Sequence, residues 1–532
     1  MSAALPDWAQ LPLEQQIAQM VVVRASGHLF DHQIRYPGWE PDAATLRHWV
    51  RDRNVGGVLL LGGSAAEIAQ RTRQLQAWAR VPLLLAADIE EGVGQRFGGA
   101  TPFPPPMAVG AIAERDPQQG EAYAYRMGAV TAQEAAALGL NWVLAPVADV
   151  NNNPDNPVIN VRAFGESASQ VSRLAGAFVR GARAQGVLTA AKHFPGHGDT
   201  AADSHLQLPV LSGSPQRLAE LELPPFQAAI AAGSDAVMSA HLSVPAWDAQ
   251  RPATLSPTVL AGVLRQTWGF EGLIATDALV MGALSGVAAR EEIPVLAVEA
   301  GADVLLMPDD PEAAIAAIAR AVTTGRIPRS RIHASLARLW QAKQRALAMP
   351  QPDWTATLAQ PAARATADAI ARETLAVEGP VPLADGATHA GQNLLWVDDP
   401  LDCDFLHRNA PAVAVPRQWG YRHRLLDREA SLAALASEAE PILLQVFLRG
   451  NPFRGTAGLS ATQQRELQQL LARAPVQAVA VYGSPYVWQW LRQWRPAHAA
   501  AVFAYGQMPP AQAIACQALF GQPARREADA FL

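Results

Sequence analysis

Residues 192–205 read KHFPGHGDTAADSH and bring His193, His197 and His205 together with Lys192, Asp199 and Asp203. Two kinds of chemistry fit these residue types. The histidines and aspartates could ligate a divalent ion, as a metal-dependent hydrolase requires. Pro195 and Gly196, however, interrupt the helix on which an H-x3-H metal pair ordinarily sits. Alternatively, Asp203 can hold one nitrogen of His205 and leave the other to move a proton, since imidazole titrates near pH 6.5 and works as acid and base near neutrality. A second chemical candidate is Asp277, at the end of the apolar run in GLIATDALVM. A carboxylate within a core is costly, so Asp277 is expected to face a rim. It reads either as an N-cap for the following ALVMGALSG or as a nucleophile or electrostatic stabiliser.

The elements that must position these groups alternate along the first 350 residues. Eight short runs rich in Val, Leu and Ile (MVVVRAS, VGGVLLLGG, VPLLLAADIE, LNWVLAPVADV, GVLTAAKHF, DAVMSAHLS, GLIATDALV and ADVLLMP) read as parallel strands buried on both faces. Stretches such as AAEIAQRTRQLQAWA and SQVSRLAGAFVRGARAQG carry helical spacing between them. This βα alternation predicts a TIM-like (β/α)8 barrel; no GxGxxG opens a first helix as a doubly wound dinucleotide fold would need. Asp88, Glu90, Asp149, Lys192, His193, His241 and Asp277 all follow strands, which places them on the C-terminal rim of such a barrel. The proline-rich MPQPDWTATLAQPA marks a linker. The expected division is a barrel over residues 1–348, a linker and helix over 349–370, and a smaller α/β sandwich over 371–532. Its strands are expected at QNLLWVDD, PAVAVP, PILLQVFLRG, VQAVAVYGS and HAAAVFAYG.

Composition excludes several classes. The formal charge is -6 and no long basic run is present, which argues against a nucleic-acid partner. Cys403 and Cys516 are too few for a disulfide framework. No apolar run reaches membrane-spanning length, and the N-terminus lacks the pattern of an export signal. A cytoplasmic protein is expected, with its oligomeric state left open.

The histidine loop resembles the signature of glycoside hydrolase family 3, in its β-N-acetylglucosaminidase branch. GFEGLIATDALVM is similar to that family's nucleophile strand, APVADVNNNPDNPVINVRAFGES to the loop after its fourth strand, and AGADVLLMP to its last barrel strand. FAYGQMPPAQAIACQALFGQ resembles the appended C-terminal domain of many members. The resemblance implies a retaining exo-acting enzyme that removes terminal β-linked GlcNAc from small carbohydrates, such as cell-wall muropeptide fragments, without metal or other cofactor. It implies Asp277 as nucleophile, His205 as general acid/base and Asp203 as its orienting partner. It also implies Asp88, Arg96, Arg162, Lys192 and His193 as holders of the sugar hydroxyls. A histidine acid is unusual, because most such enzymes use two carboxylates. The chain departs from the branch in DIEEGVGQRF, where Glu91 replaces a glycine and Val93 an arginine, and at Glu166-Ser167. A β-glucosidase or glycoside phosphorylase of the same family, a divalent-metal hydrolase and a non-catalytic sugar-binding protein are the competing readings.

Overall fold

A computed structural model describes residues 5–383, 391–401, 403–432, 435, 440–450 and 455–521. The chain divides into two compact units, 1–366 and 367–532.

The first unit is built on eight parallel strands: β1 (Val21–Ser26), β2 (Gly57–Leu61), β3 (Leu84–Ala87), β4 (Trp142–Val143), β5 (Leu188–Phe194), β6 (Ala236–Ser239), β7 (Leu273–Thr276) and β8 (Leu305–Leu306). They lie in the order β7-β6-β5-β4-β3-β2-β1-β8. The bridge between Ala275 and Val304 joins the two ends, with the Thr276 N–H donated to the Val304 carbonyl at 3.0 Å. The result is a (β/α)8 barrel of the TIM type. The strands are short because each apolar run supplies only the few residues needed to pack both a barrel interior and a surrounding helix; β3, β5, β6 and β7 are buried at every position. Helices such as Ala65–Trp78 start on side-chain caps, here a reciprocal capping box between Ser64 and Glu67. At the floor of the barrel, the Lys343 ammonium from the helix Arg329–Leu347 donates to Gln19 Oε1 (2.8 Å), the Gly56 carbonyl (3.0 Å) and the Pro82 carbonyl (2.7 Å). These acceptors precede β1, β2 and β3, so one buried lysine ties three strand entries together.

The second unit holds a six-stranded sheet of β9 (Ala376–Glu378), β10 (Gly391–Val397), β11 (Tyr421–Leu426), β12 (Ile442–Leu448), β13 (Val476–Gly483) and β14 (Ala500–Ala504), ordered β11-β10-β12-β13-β14-β9. All pairings are parallel except β14 with β9, which is antiparallel. Two expectations are corrected here. PAVAVP is not a strand: Pro411–Gln418 is a helix, begun by Pro411 at its first turn, where a missing N–H costs nothing. The strand of that region is instead YRHRLL, an edge strand exposed at its four central positions, which carries no apolar signature. Likewise the helix expected to end at residue 370 runs over Pro361–Glu373, and the chain then enters β9. Among the described residues no helix is long and apolar enough to cross a membrane.

Candidate active site

The C-terminal ends of β3, β4, β5 and β7 converge on one barrel mouth, and the polar residues that follow them form a connected set. Glu90, after β3, is 4 % exposed. Its carboxylate accepts Arg162 Nε at 2.8 Å and Nη2 at 2.7 Å, and lies 2.6 Å from Lys192 Nζ. Lys192 also donates to Asp88 Oδ1 at 2.7 Å. Burial opposes charge on Glu90, but Arg162 and Lys192 overcome it and hold the carboxyl well below the usual range. Burial would likewise depress Lys192, yet Asp88 and Glu90 reverse the effect and raise it. Glu90, Arg162 and Lys192 thus stay ionised in a nearly dry site because each has a partner of opposite sign. Arg96 stands outside this set. Its side chain is exposed, and its Nε donates to the Asp88 carbonyl oxygen at 3.1 Å.

Asp149 anchors the base of the histidine loop. Its carboxylate accepts the backbone N–H of His193 (3.1 Å to Oδ1) and of His197 (2.7 Å), and the His193 Nδ1–H at 2.8 Å. A carboxylate only accepts, so His193 carries its proton on Nδ1 and turns Nε2 toward Arg162 Nη2, 3.4 Å away. The asparagine-rich segment after β4 supports the loop from below. Asn156 donates to the carbonyls of His197 (2.7 Å) and Gly198 (3.1 Å), and Asn152 to Asp199 Oδ1 (3.1 Å). Gly198 packs so closely here that a Cβ would sit 1.7 Å from the Val150 carbonyl oxygen. His197 is 2 % exposed and lies between two hydroxyls, Thr200 Oγ1 at 2.7 Å and Ser204 Oγ at 2.9 Å. Burial brings its pKa down to about 4, so its ring is neutral near pH 7.

At the loop tip the Asp203 carboxylate accepts both the backbone N–H of His205 (2.8 Å) and its Nδ1–H (2.9 Å). The tip is fastened to the segment that follows β7. The Gly282 N–H donates to the His205 carbonyl and the Ala283 N–H to the Ser204 carbonyl, both at 3.2 Å. A Cβ on Gly282 would lie 2.6 Å from that His205 oxygen, so the approach requires glycine. Asp277 begins the same segment. No helix follows it directly, which excludes the N-cap role, and its Oδ1 accepts the adjacent Ala278 N–H at 2.8 Å. Burial pushes the Asp277 carboxyl up, but the fields of His193, His241 and His205 outweigh it and bring the pKa down to about 2. His241 is fixed by its Nε2, which donates to the Ala278 carbonyl at 3.0 Å.

The three loop imidazoles therefore have separate partners, and among the described residues no three His, Cys, Asp or Glu side chains group as metal ligands. Of the residues singled out in sequence, Asp88, Arg162, Lys192, His193, Asp203, His205 and Asp277 lie at one mouth; Arg96 stays on its outside. Glu90 and Asp149 hold more of the site together than their rim positions alone suggested. The signal that could have found them is their opposite charge to Arg162, Lys192 and the histidines.

Residues 12–342 match the N-terminal domain of glycosyl hydrolase family 3, and residues 385–521 the bacterial C-terminal domain of the same family. The chain belongs to glycosyl hydrolase family 3. Among its relatives, a beta-hexosaminidase A of Pseudoalteromonas piscicida is 33 % identical over 373 residues, covering 63 % of this chain and 61 % of that protein. A beta-N-acetylglucosaminidase/beta-glucosidase of Cellulomonas fimi is 32 % identical over 349 residues, again covering 63 % and 61 %. The chain thus spans about three fifths of these two curated relatives. A family 3 beta-N-acetylglucosaminidase from Paenibacillus sp. str. FPU-7 superposes with a TM-score of 0.78 at 30 % identity, over 97 % of each chain.

Proposed function

We propose that this family 3 chain is a retaining exo-β-N-acetylglucosaminidase that acts through a covalent glycosyl-enzyme. Asp277 attacks C1 of a terminal β-linked GlcNAc while His205, doubly protonated, gives its Nε2 proton to the departing oxygen. His205 then takes a proton from water, whose oxygen displaces Asp277 from C1. Asp203 keeps the Nδ1 proton in place through both steps and stabilises the imidazolium. Asp88, Lys192, Arg162, His193 and Arg96 hold the sugar hydroxyls, Arg96 from the outside of the mouth. Cell-wall fragments ending in GlcNAc are the substrate that goes with this reading, in the cytoplasm.

The observation that carries the proposal is the pairing of Asp203 with His205 on a loop hydrogen-bonded to the segment beginning at Asp277. The low Asp277 pKa supports a nucleophile ionised throughout the working range. The test is to trap the intermediate with a fluorinated GlcNAc analogue and map the label. Modification of Asp277, absent in Asp277→Asn, is expected; label elsewhere refutes the assignment. Aryl β-GlcNAc against aryl β-glucoside, each with and without phosphate, decides between this reading and a glucosidase or phosphorylase.

A further inference from the structure

Asp199 stands on the histidine loop between His197 and Asp203, and it is held from two sides. Asn152 Nδ2 donates to its Oδ1 at 3.1 Å, and Asn153 Nδ2 donates to its backbone carbonyl at 3.3 Å. Both are neutral donors. The opposite charge comes from Arg217, whose Nη2 lies 2.7 Å from Asp199 Oδ2. Local sequence places this arginine. The helix Pro215–Glu220 starts on a proline in its first turn and on Ser214, whose hydroxyl accepts the Arg217 N–H at 3.2 Å.

Behind Arg217 stands Glu222. It is buried, and its stem lies against Gly196 of the same histidine loop. Among the described residues neither of its carboxylate oxygens has a hydrogen-bond partner, and Arg217 Nη2 faces Oε1 at 3.6 Å. Burial pushes the Glu222 carboxyl up, and Arg217 works against it. The Arg217 side chain is 41 % exposed, and an arginine–aspartate pair so open to water holds weakly on its own. The buried carboxylate changes that balance. An Arg217 turned out to solvent would leave Glu222 without its counter-charge in a dry place, which is far more costly than losing a surface pair. Glu222 therefore keeps Arg217 turned inward, and Arg217 keeps Asp199. The loop is pinned here before Asp203, while its tip is fastened beyond it by the Gly282 and Ala283 N–H groups.

We propose that Arg217 is a positioning residue for the acid step: through Asp199 it holds the loop so that His205 meets the departing oxygen, and Glu222 holds Arg217 to that task. The proposal rests on the glycosidase reading above, in which His205 is the acid. Its test compares kcat/KM for 2,4-dinitrophenyl β-GlcNAc, whose leaving group departs without a proton, with that for phenyl β-GlcNAc, whose leaving group needs one. Arg217→Met is expected to lower kcat/KM on the phenyl glycoside about tenfold and to leave the dinitrophenyl glycoside within about twofold. A merely structural defect would lower both alike. Arg217→Lys is expected to recover most of the loss, and Glu222→Gln to give the same split more weakly. Asp199→Asn should repeat the split, and adding it to Arg217→Met should cost nothing further, because both remove one contact. Equal losses on the two glycosides, no loss on the phenyl glycoside, or additive losses in the double variant overturn the proposal. His205→Ala tests the reading beneath it and must show a larger split of the same kind. If His205→Ala loses both glycosides equally, or the wild type cleaves neither, the glycosidase reading itself fails and the positioning role falls with it.

Discussion

Acidification should loosen the histidine loop through His197. The ring is buried, sits between the Thr200 and Ser204 hydroxyls, and has its pKa brought to about 4 against an ordinary 6.5. Below pH 6.5 the unfolded chain takes up a proton on this residue that the folded chain refuses, so the unfolded state binds more protons and stability falls with pH. The loss begins near pH 6.5 and is complete near pH 4. The gap between the two values amounts to about 3 kcal/mol. Denaturant unfolding of the wild type and His197→Gln, followed from pH 7.5 to 4, measures it. The variant minus wild-type difference in unfolding free energy should change by about 3 kcal/mol in the variant's favour across that window. Asp277 does not share this window, because its carboxyl titrates at about 2. Parallel curves for the two proteins would refute the reasoning. The same protonation turns His197 Nε2 from acceptor to donor, so the Ser204 hydroxyl beside His205 must rotate to accept, and kcat should decline on the acid side well before Asp277 is neutralised.

Glu90→Gln keeps the shape of the site but leaves the Arg162 charge without its carboxylate; a loss of about 3–5 kcal/mol is expected in chemical denaturation. Asp203→Asn should lower kcat on the order of 10⁴-fold by favouring the wrong His205 tautomer, with a smaller loss for substrates whose leaving group needs no proton. Lys343→Met leaves Gln19, Gly56 and Pro82 oxygens without their buried donor and should destabilise the barrel by about 3 kcal/mol or more, with KM unchanged because the floor is remote from the mouth. Thermal unfolding alongside steady-state kinetics checks both halves of that expectation.

The barrel was legible because its strands are buried on both faces and so read as uninterrupted apolar runs. The same rule failed in the second unit. β11 lies at an edge, its four central residues face water, and its Arg and His side chains hide the strand, while PAVAVP carries a strand-like composition into a helix begun by proline. At the mouth, Asp203 and His205 stood out by their Asp-x-His spacing in a histidine-rich loop, and Asp277 because it ends an apolar strand. The function of Asn156 could not be read that way, since its partners lie 41 and 42 residues away and are backbone carbonyls. Nor could Lys343, whose acceptors come from three separate strand entries. Sequence pattern reports periodicity along one element; it is silent on polar contacts made across several.

The three residues of β9 have a consequence for anyone who divides this protein. They lie between the two family matches, 12–342 and 385–521, and belong to neither, yet they pair with Ala501, Val502 and Phe503 along the flank of β14. A fragment begun at residue 385 would bare that flank, a row of unsatisfied amides and carbonyls on an apolar strand, and invite neighbouring copies to zip onto it. A fragment begun at residue 367 retains the natural seal.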